Sequence, residues 1–163
     1  FGGDAAKVHV PLVGAHRIEG VKVLVAQGRT PMGSAFALAR QWLEDKELLP
    51  SRAYRPVLVL VSDGEPTDDW QEPLAALKAS ERGQKATRFA MAIGADADRA
   101  MLRQFTNDLE APVFEADGAQ DIVKFFRAVT MSVMARSTNE SPNAAQPLSL
   151  SDDLEDDLDL DAL

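Results

Sequence analysis

The sequence predicts an α/β fold: a doubly wound, mostly parallel sheet flanked by helices. Three observations carry this expectation. Val57-Leu58-Val59-Leu60-Val61 is an unbroken apolar run that ends on Ser62-Asp63-Gly64, the pattern of a strand covered on both faces. Strand-like and helix-like segments alternate through the body of the chain, as βαβ units do. The last helical segment has the clearest period, with Ile122, Phe125, Phe126, Val129 and Val133 on one face.

Each element follows from local pattern. Val8, Val10 and Leu12 alternate with polar residues and Pro11, which predicts a half-exposed strand at an edge. Val21–Val25 reads as a second short strand. Gly28-Arg29-Thr30-Pro31-Met32-Gly33 is a turn that opens a helix running to about Leu49, with Phe36, Ala39 and Leu43 inward and Pro50-Ser51 beyond its end. After the 57–62 strand, a helix is expected near 68–82, with Leu74 and Leu77 inward and Gly83 closing it. Thr87–Ile93 is a strand with an exit loop at 94–98. A helix carrying Met101, Leu102 and Phe105 follows, then a short strand at Val113-Phe114 and a helix over about 119–135. Right-handed crossovers set the hand of the sheet.

Composition narrows the function classes. At 163 residues the chain makes one domain with a core of useful size. It has no cysteine, which removes disulfides, thiolate metal sites and cysteine nucleophiles. No apolar run approaches a membrane span. Net charge is −9, but residues 136–163 alone hold −7, leaving −2 for residues 1–135. A body without clustered Lys and Arg does not suit a nucleic-acid partner. The chain therefore divides into a body, 1–135, and a segment, 136–163, with a Ser/Asn/Pro/Gln-rich linker and an acidic tail. By composition this segment is disordered. Leu150, Leu154 and Leu158 recur every four residues in it, so it reads either as a solvated end or as a docking segment that gains a helical face on binding.

Asp63 directly follows a buried strand, where open α/β sheets place ligands. Thr30 lies 33 residues earlier, in the other loop that opens a helix. Together, Gly28-Arg29-Thr30-Pro31-Met32-Gly33-Ser34-Ala35 and Leu60-Val61-Ser62-Asp63-Gly64-Glu65-Pro66-Thr67-Asp68-Asp69-Trp70 resemble a von Willebrand factor A (VWA) domain. The second string is similar to that of the intracellular bacterial branch associated with tellurium resistance. The resemblance spans Phe1 to about Ala135 and implies a VWA/Rossmann-like fold.

It also implies a metal-ion-dependent adhesion site, in which an Asp-x-Ser-x-Ser motif, a Thr and an Asp hold a divalent cation. Thr30 matches the Thr and Asp63 the Asp. The Asp-x-Ser-x-Ser motif does not occur in this sequence, and the chain opens on Phe1-Gly2-Gly3 rather than Met. The expectation is thus a partial domain lacking its first strand and first helix. Mg²⁺, with Mn²⁺ or Ca²⁺ as substitutes, would bind weakly to the two remaining oxygens, because Mg²⁺ takes six in an octahedron. A protein partner's carboxylate would complete the shell. The family suggests a non-catalytic interaction module of a cytoplasmic bacterial stress or tellurium-resistance system, with kinase-like or phosphatase-like partners and neither a nucleic-acid nor a membrane role.

Other readings stand beside these. Thr30 also fits an N-cap with Pro31 at the first helical position, and Asp63-Gly64 fits an ordinary turn. Thr67, Asp68 and Asp69 read as cap and first-turn residues of the helix that follows them. Asp96 and Asp98 read as the cap of the helix carrying Met101. His9 and His16 lack metal-ligand spacing, and Trp42 and Trp70 read as helix packing. Two other functions remain open. One is a metal-dependent phosphohydrolase using the acidic loop, although no nucleophile and general base pair is visible. The other is a structural remnant with an inactive metal site.

Overall fold

The computed structural model describes residues 1–23, 28–50, 53–106 and 113–138. The sequence expectations for residues 24–25 and for the tail from 139 onward lie outside the described residues. The sheet is parallel, with order β1-β2-β3 formed by Val57–Ser62, Thr87–Ile93 and Phe114–Ala116. Leu60 of β1 stands opposite Ala90 of β2, and Ala92 of β2 opposite Glu115 of β3. Helix α1 (Met32–Glu44) precedes the sheet, α2 (Gln71–Ala79) and α3 (Glu81–Lys85) join β1 to β2, α4 (Arg99–Phe105) joins β2 to β3, and α5 (Ala119–Thr138) follows. This is the expected open α/β architecture, with helices on both faces.

Two cores result, one on each side of the sheet. Leu60, Ala90 and Ala92 meet Met32, Phe36, Leu43, Leu74, Leu77, Met101, Leu102 and Phe105. Phe36 of α1 stacks on Phe105 of α4 with ring centroids 5.6 Å apart. On the other face Phe89, Met91, Phe114 and Ala116 meet Phe125 and Val129 of α5, and Phe114 packs on Phe125 at 5.0 Å. Buried Arg88 of β2 points into the first layer. Its guanidinium donates to the carbonyls of Phe105 (2.7 Å) and Gly83 (2.6 Å), at the ends of two helices. Burial pushes its pKa below the ordinary value, and these carbonyls offset the cost of burying its charge.

Several expectations are corrected. Residues 6–14 form no strand. The nearest pairing is an isolated bridge between Gly2 and Ala5, and Val8, Leu12 and Val13 stay exposed. Alternation alone gives a strand nothing to pair with. Val21–Val23 are likewise irregular. The first helix stops at Glu44 rather than near Leu49, because the Asp45 carboxylate accepts from the amides of Glu47 (2.8 Å) and Leu48 (3.2 Å) and turns the chain away.

The single helix expected over 68–82 is two helices broken at Ser80. The Ser80 hydroxyl accepts from the Gly83 amide, capping α3, and donates to the Leu77 carbonyl at 2.9 Å. Gly83 therefore sits inside α3 instead of closing a helix. β1 is at the sheet edge among the described residues, with Leu60 and Ser62 buried and Val57, Val59 and Val61 only partly covered. Burial on both faces is thus realised in β2 rather than in β1. α5 continues past 135 to Thr138, and Phe126 (45% exposed) and Val133 (42%) lie outside the face that packs on the sheet.

A Cβ at Gly83 would stand 1.9 Å from the Leu77 carbonyl oxygen. Gly83→Ala is expected to cost about 1–3 kcal/mol, as overpacking does. Gly20→Ala, which meets nothing within 4 Å, is the control. Thermal melts followed by circular dichroism compare them, and equal melting temperatures would show that the α2–α3 junction yields without cost.

Candidate functional site

The C-terminal ends of the three strands lie at one end of the sheet, and their exit loops gather there. Gly94 donates to the Ala116 carbonyl at 3.0 Å, joining two of the loops. Arg99 holds the same corner. It forks onto Glu115, with the closest contact 2.7 Å, and donates to the carbonyls of Gly94, Ala95 and Ala97. The hydrogen bonds Arg99 donates to the Glu115 carboxylate raise the Arg99 pKa. The loop after β1, residues 63–70, occupies the other side.

That loop is latched to the start of α1 by four hydrogen bonds. The Thr30 amide donates to the Thr67 hydroxyl at 3.0 Å, and the Thr67 amide returns a bond to the Thr30 carbonyl at 2.9 Å. The Asp68 carboxylate accepts from the amides of Gly33 (2.8 Å) and Ser34 (2.9 Å). The first amides of a helix have no partner within it, and here a carboxylate distant in sequence satisfies two of them. Gly33 permits the approach, since a Cβ there would lie 2.0 Å from the Asp69 carbonyl oxygen. Buried Ser62 anchors the turn after β1, its hydroxyl donating to the Gly64 carbonyl at 3.1 Å. The Ser34 hydroxyl also accepts from the Ala6 amide at 2.8 Å, tying the N-terminal segment to α1.

The two candidate ligands emerge from this latch. Thr30 is half-buried, and its hydroxyl faces Gly64, 3.5 Å from where a Cβ on Gly64 would be. Asp63, the neighbour of Gly64, is exposed at the strand exit. Among the described residues, neither the Thr30 hydroxyl nor the Asp63 carboxylate is engaged in a hydrogen bond, while Ser62, Thr67 and Asp68 all are. Thr30 therefore does not cap α1, and Asp68 does so in its place. Asp68 is also not a first-turn residue of the helix after it. A hydroxyl and a carboxylate form a hard oxygen donor set that suits Mg²⁺ or Ca²⁺. Among the described residues, no three His, Asp or Glu side chains converge into a ready-made cation cage.

The profile of the von Willebrand factor type A domain matches residues 3–128. The chain belongs to that family. No curated protein and no solved structure gives a significant match. Within this von Willebrand factor type A domain, Asp98 caps α4 as the sequence suggested, accepting from the Met101 amide at 3.0 Å. His9 lies exposed, with its ring 2.7 Å from the Lys22 carbonyl. Trp70 packs against the first core. Among the described residues, no helix is long and apolar enough to cross a membrane.

Sequence reasoning missed the roles of Thr67 and Asp68 and the Arg99–Glu115 fork. Gly33 held the one available signal, since a glycine at the second position of a helix implies a close neighbour. Asp68→Ala should lower stability by about 0.5–2 kcal/mol, the range for losing a helix cap, whereas Asp69→Ala should leave it nearly unchanged. Denaturant titration of the two variants checks this, and equal midpoints would remove the latch from the account.

Proposed function

We propose that the domain is a non-catalytic protein-interaction module that docks its partner through a divalent cation. Thr30 and Asp63 would supply the protein's oxygens, and a carboxylate on the partner would complete the shell. One observation carries this reading. In the two loops that meet at the end of β1, the hydrogen-bonding side chains Ser62, Thr67 and Asp68 hold the backbone, and the Thr30 hydroxyl and the Asp63 carboxylate are left over. The family supports it, because von Willebrand factor type A domains commonly mediate metal-dependent interactions. When bound, Mg²⁺ would offer coordination positions that a partner's acidic side chain can fill. Thr30 and Asp63 would orient it, and the latch would hold both loops so that binding costs little reordering.

The finer reading places the domain in a bacterial stress or tellurium-resistance type system, in the cytoplasm, beside kinase-like or phosphatase-like proteins. Its support is the likeness of the Asp63–Trp70 string to that branch.

Calorimetric titration of the full chain with Mg²⁺ tests the site. Asp63→Ala and Thr30→Val should each weaken binding by roughly tenfold or more, at the lower end of losses seen when metal-site residues are altered. Asp69→Ala, exposed in the same loop, should bind as the parent does. Equal affinity for parent, Asp63→Ala and Thr30→Val would remove both residues as ligands.

A further inference from the structure

The opposite end of the sheet carries a feature that metal-dependent docking does not use. A cleft of about 420 Å³ opens beside the N-terminal end of β1, between the turn after α1 and helix α3. Lys46, Arg55, Arg82 and Lys85 line it, against Glu44 and Glu81. Both acids are engaged: Glu81 pairs with Lys85 at 3.0 Å, and Glu44 accepts from the Arg82 amide at 3.1 Å. The hydrogen bond and charge of Lys85, with Lys46 and Arg82 behind it, hold the Glu81 carboxyl below its usual range. Among the described residues, the Lys46 amine and the Arg82 guanidinium make no ion pair. The cleft is thus cationic on a protein whose net charge is −9. Tyr54, 62% exposed, adds an aromatic wall beside Ala53 and Pro56.

The C-terminal part of α5 lies close to this cleft. Buried Arg136 donates to the Thr87 hydroxyl at 3.0 Å, and the Thr87 amide donates to the carbonyl of Pro56, a residue of the cleft wall. Burial and then the charge of Arg55 lower the Arg136 pKa, so Arg136 stands near that cleft residue too. Thr138, two residues on, is the last described residue of α5. Residues 139–147 can extend up to roughly 30 Å, so the segment after them begins within reach of the cleft mouth. That segment is Leu148-Ser149-Leu150-Ser151-Asp152-Asp153-Leu154-Glu155-Asp156-Asp157-Leu158-Asp159-Leu160-Asp161.

We propose that the cleft is a binding site for an acidic, leucine-bearing peptide and that its occupant is residues 148–161 of the same chain. The carboxylates meet Lys46, Arg82 and their neighbours, and leucines spaced four apart meet the Tyr54 wall. The short tether supplies a high effective concentration, so the contact forms even where each exposed ion pair contributes little. This places an acidic docking segment and a cation-dependent docking site at opposite ends of one sheet.

The absence of native cysteine makes the test direct. In the full chain, Ala53→Cys with Ser149→Cys should give an intramolecular disulfide under mild oxidation, visible as a faster-migrating monomer. Ala95→Cys with Ser149→Cys places the first thiol in the loop after β2, at the other end of the sheet, and should cross-link roughly tenfold less. The Ala53 yield should fall under high salt, with Lys46→Glu and Arg82→Glu together, and equally when Asp152, Asp153, Asp156 and Asp157 are changed to Asn. The last set leaves the folded body untouched, so a loss there cannot come from misfolding. Equal yields at positions 53 and 95, or a yield indifferent to salt and to both charge sets, overturns the proposal. A disulfide found only between two chains overturns the same-chain occupant.

Discussion

The exchange between the loop after β1 and the first turn of α1 is the constraint on which the rest of the site depends. Without it, the start of α1 would present unpaired amides beside a strand exit. Asp68 removes that cost with one carboxylate on two amides, a charge-assisted arrangement that also suits the positive end of the helix. Its reach requires the backbone at Asp69 to press against α1, which in turn requires glycine at position 33. On the other side of the same contact, the Thr30 amide donates to the Thr67 hydroxyl and the Thr67 amide to the Thr30 carbonyl. The position of the Thr30 hydroxyl beside Gly64 is a consequence of these bonds and not of any local preference of residues 28–33.

What the sequence disclosed follows the physics of each element. β1 and β2 both matched their expected limits, because each is a short apolar run, the length of a strand, bounded by polar or turn residues. α5 showed its inward face through Phe125 and Val129, but the period could not say how wide a stripe the sheet covers, and Phe126 was counted inside. The breaks at Asp45 and Ser80 were hidden because each depends on a side chain competing for backbone groups, which leaves no mark on hydrophobic periodicity. The alternation at Val8–Leu12 misled for the opposite reason: the pattern is a condition for a strand, and a neighbour to pair with is another.

The candidate site divides the same way. The position of Asp63 at the exit of β1 was legible because the apolar run ends directly before it. Thr30 was legible through its pairing with that motif, and its competing role as a cap was resolved only by tertiary structure. Asp68 was assigned to the wrong helix, since helix capping is ordinarily a local event and this one spans 35 residues to Gly33.

The two ends of the sheet differ in charge for one reason. The strands are parallel, so the helices that return between them run back against the strands. Their N-termini collect where the strands end, and their C-termini where the strands begin. Carboxylates are favoured at the first end and cations at the second. Asp98 caps α4, and Asp121 accepts from the amides of Asp117 and Gly118 at the start of α5. At the other end Arg88 binds the carbonyls of Gly83 and Phe105, and Lys78 reaches that of Gln104. Each carboxylate committed to a helix amide is a poor cation ligand, because coordination would strip the amide of its partner. Asp63 follows a strand and caps no helix, so under the proposed function it is a ligand that a cation would recruit without loosening the fold. At the opposite end cations outnumber the acids beside them. The same polarity thus leaves carboxylates at one end of the sheet and cations at the other, which is the division that the proposed cation site and the proposed acidic-peptide site both draw on.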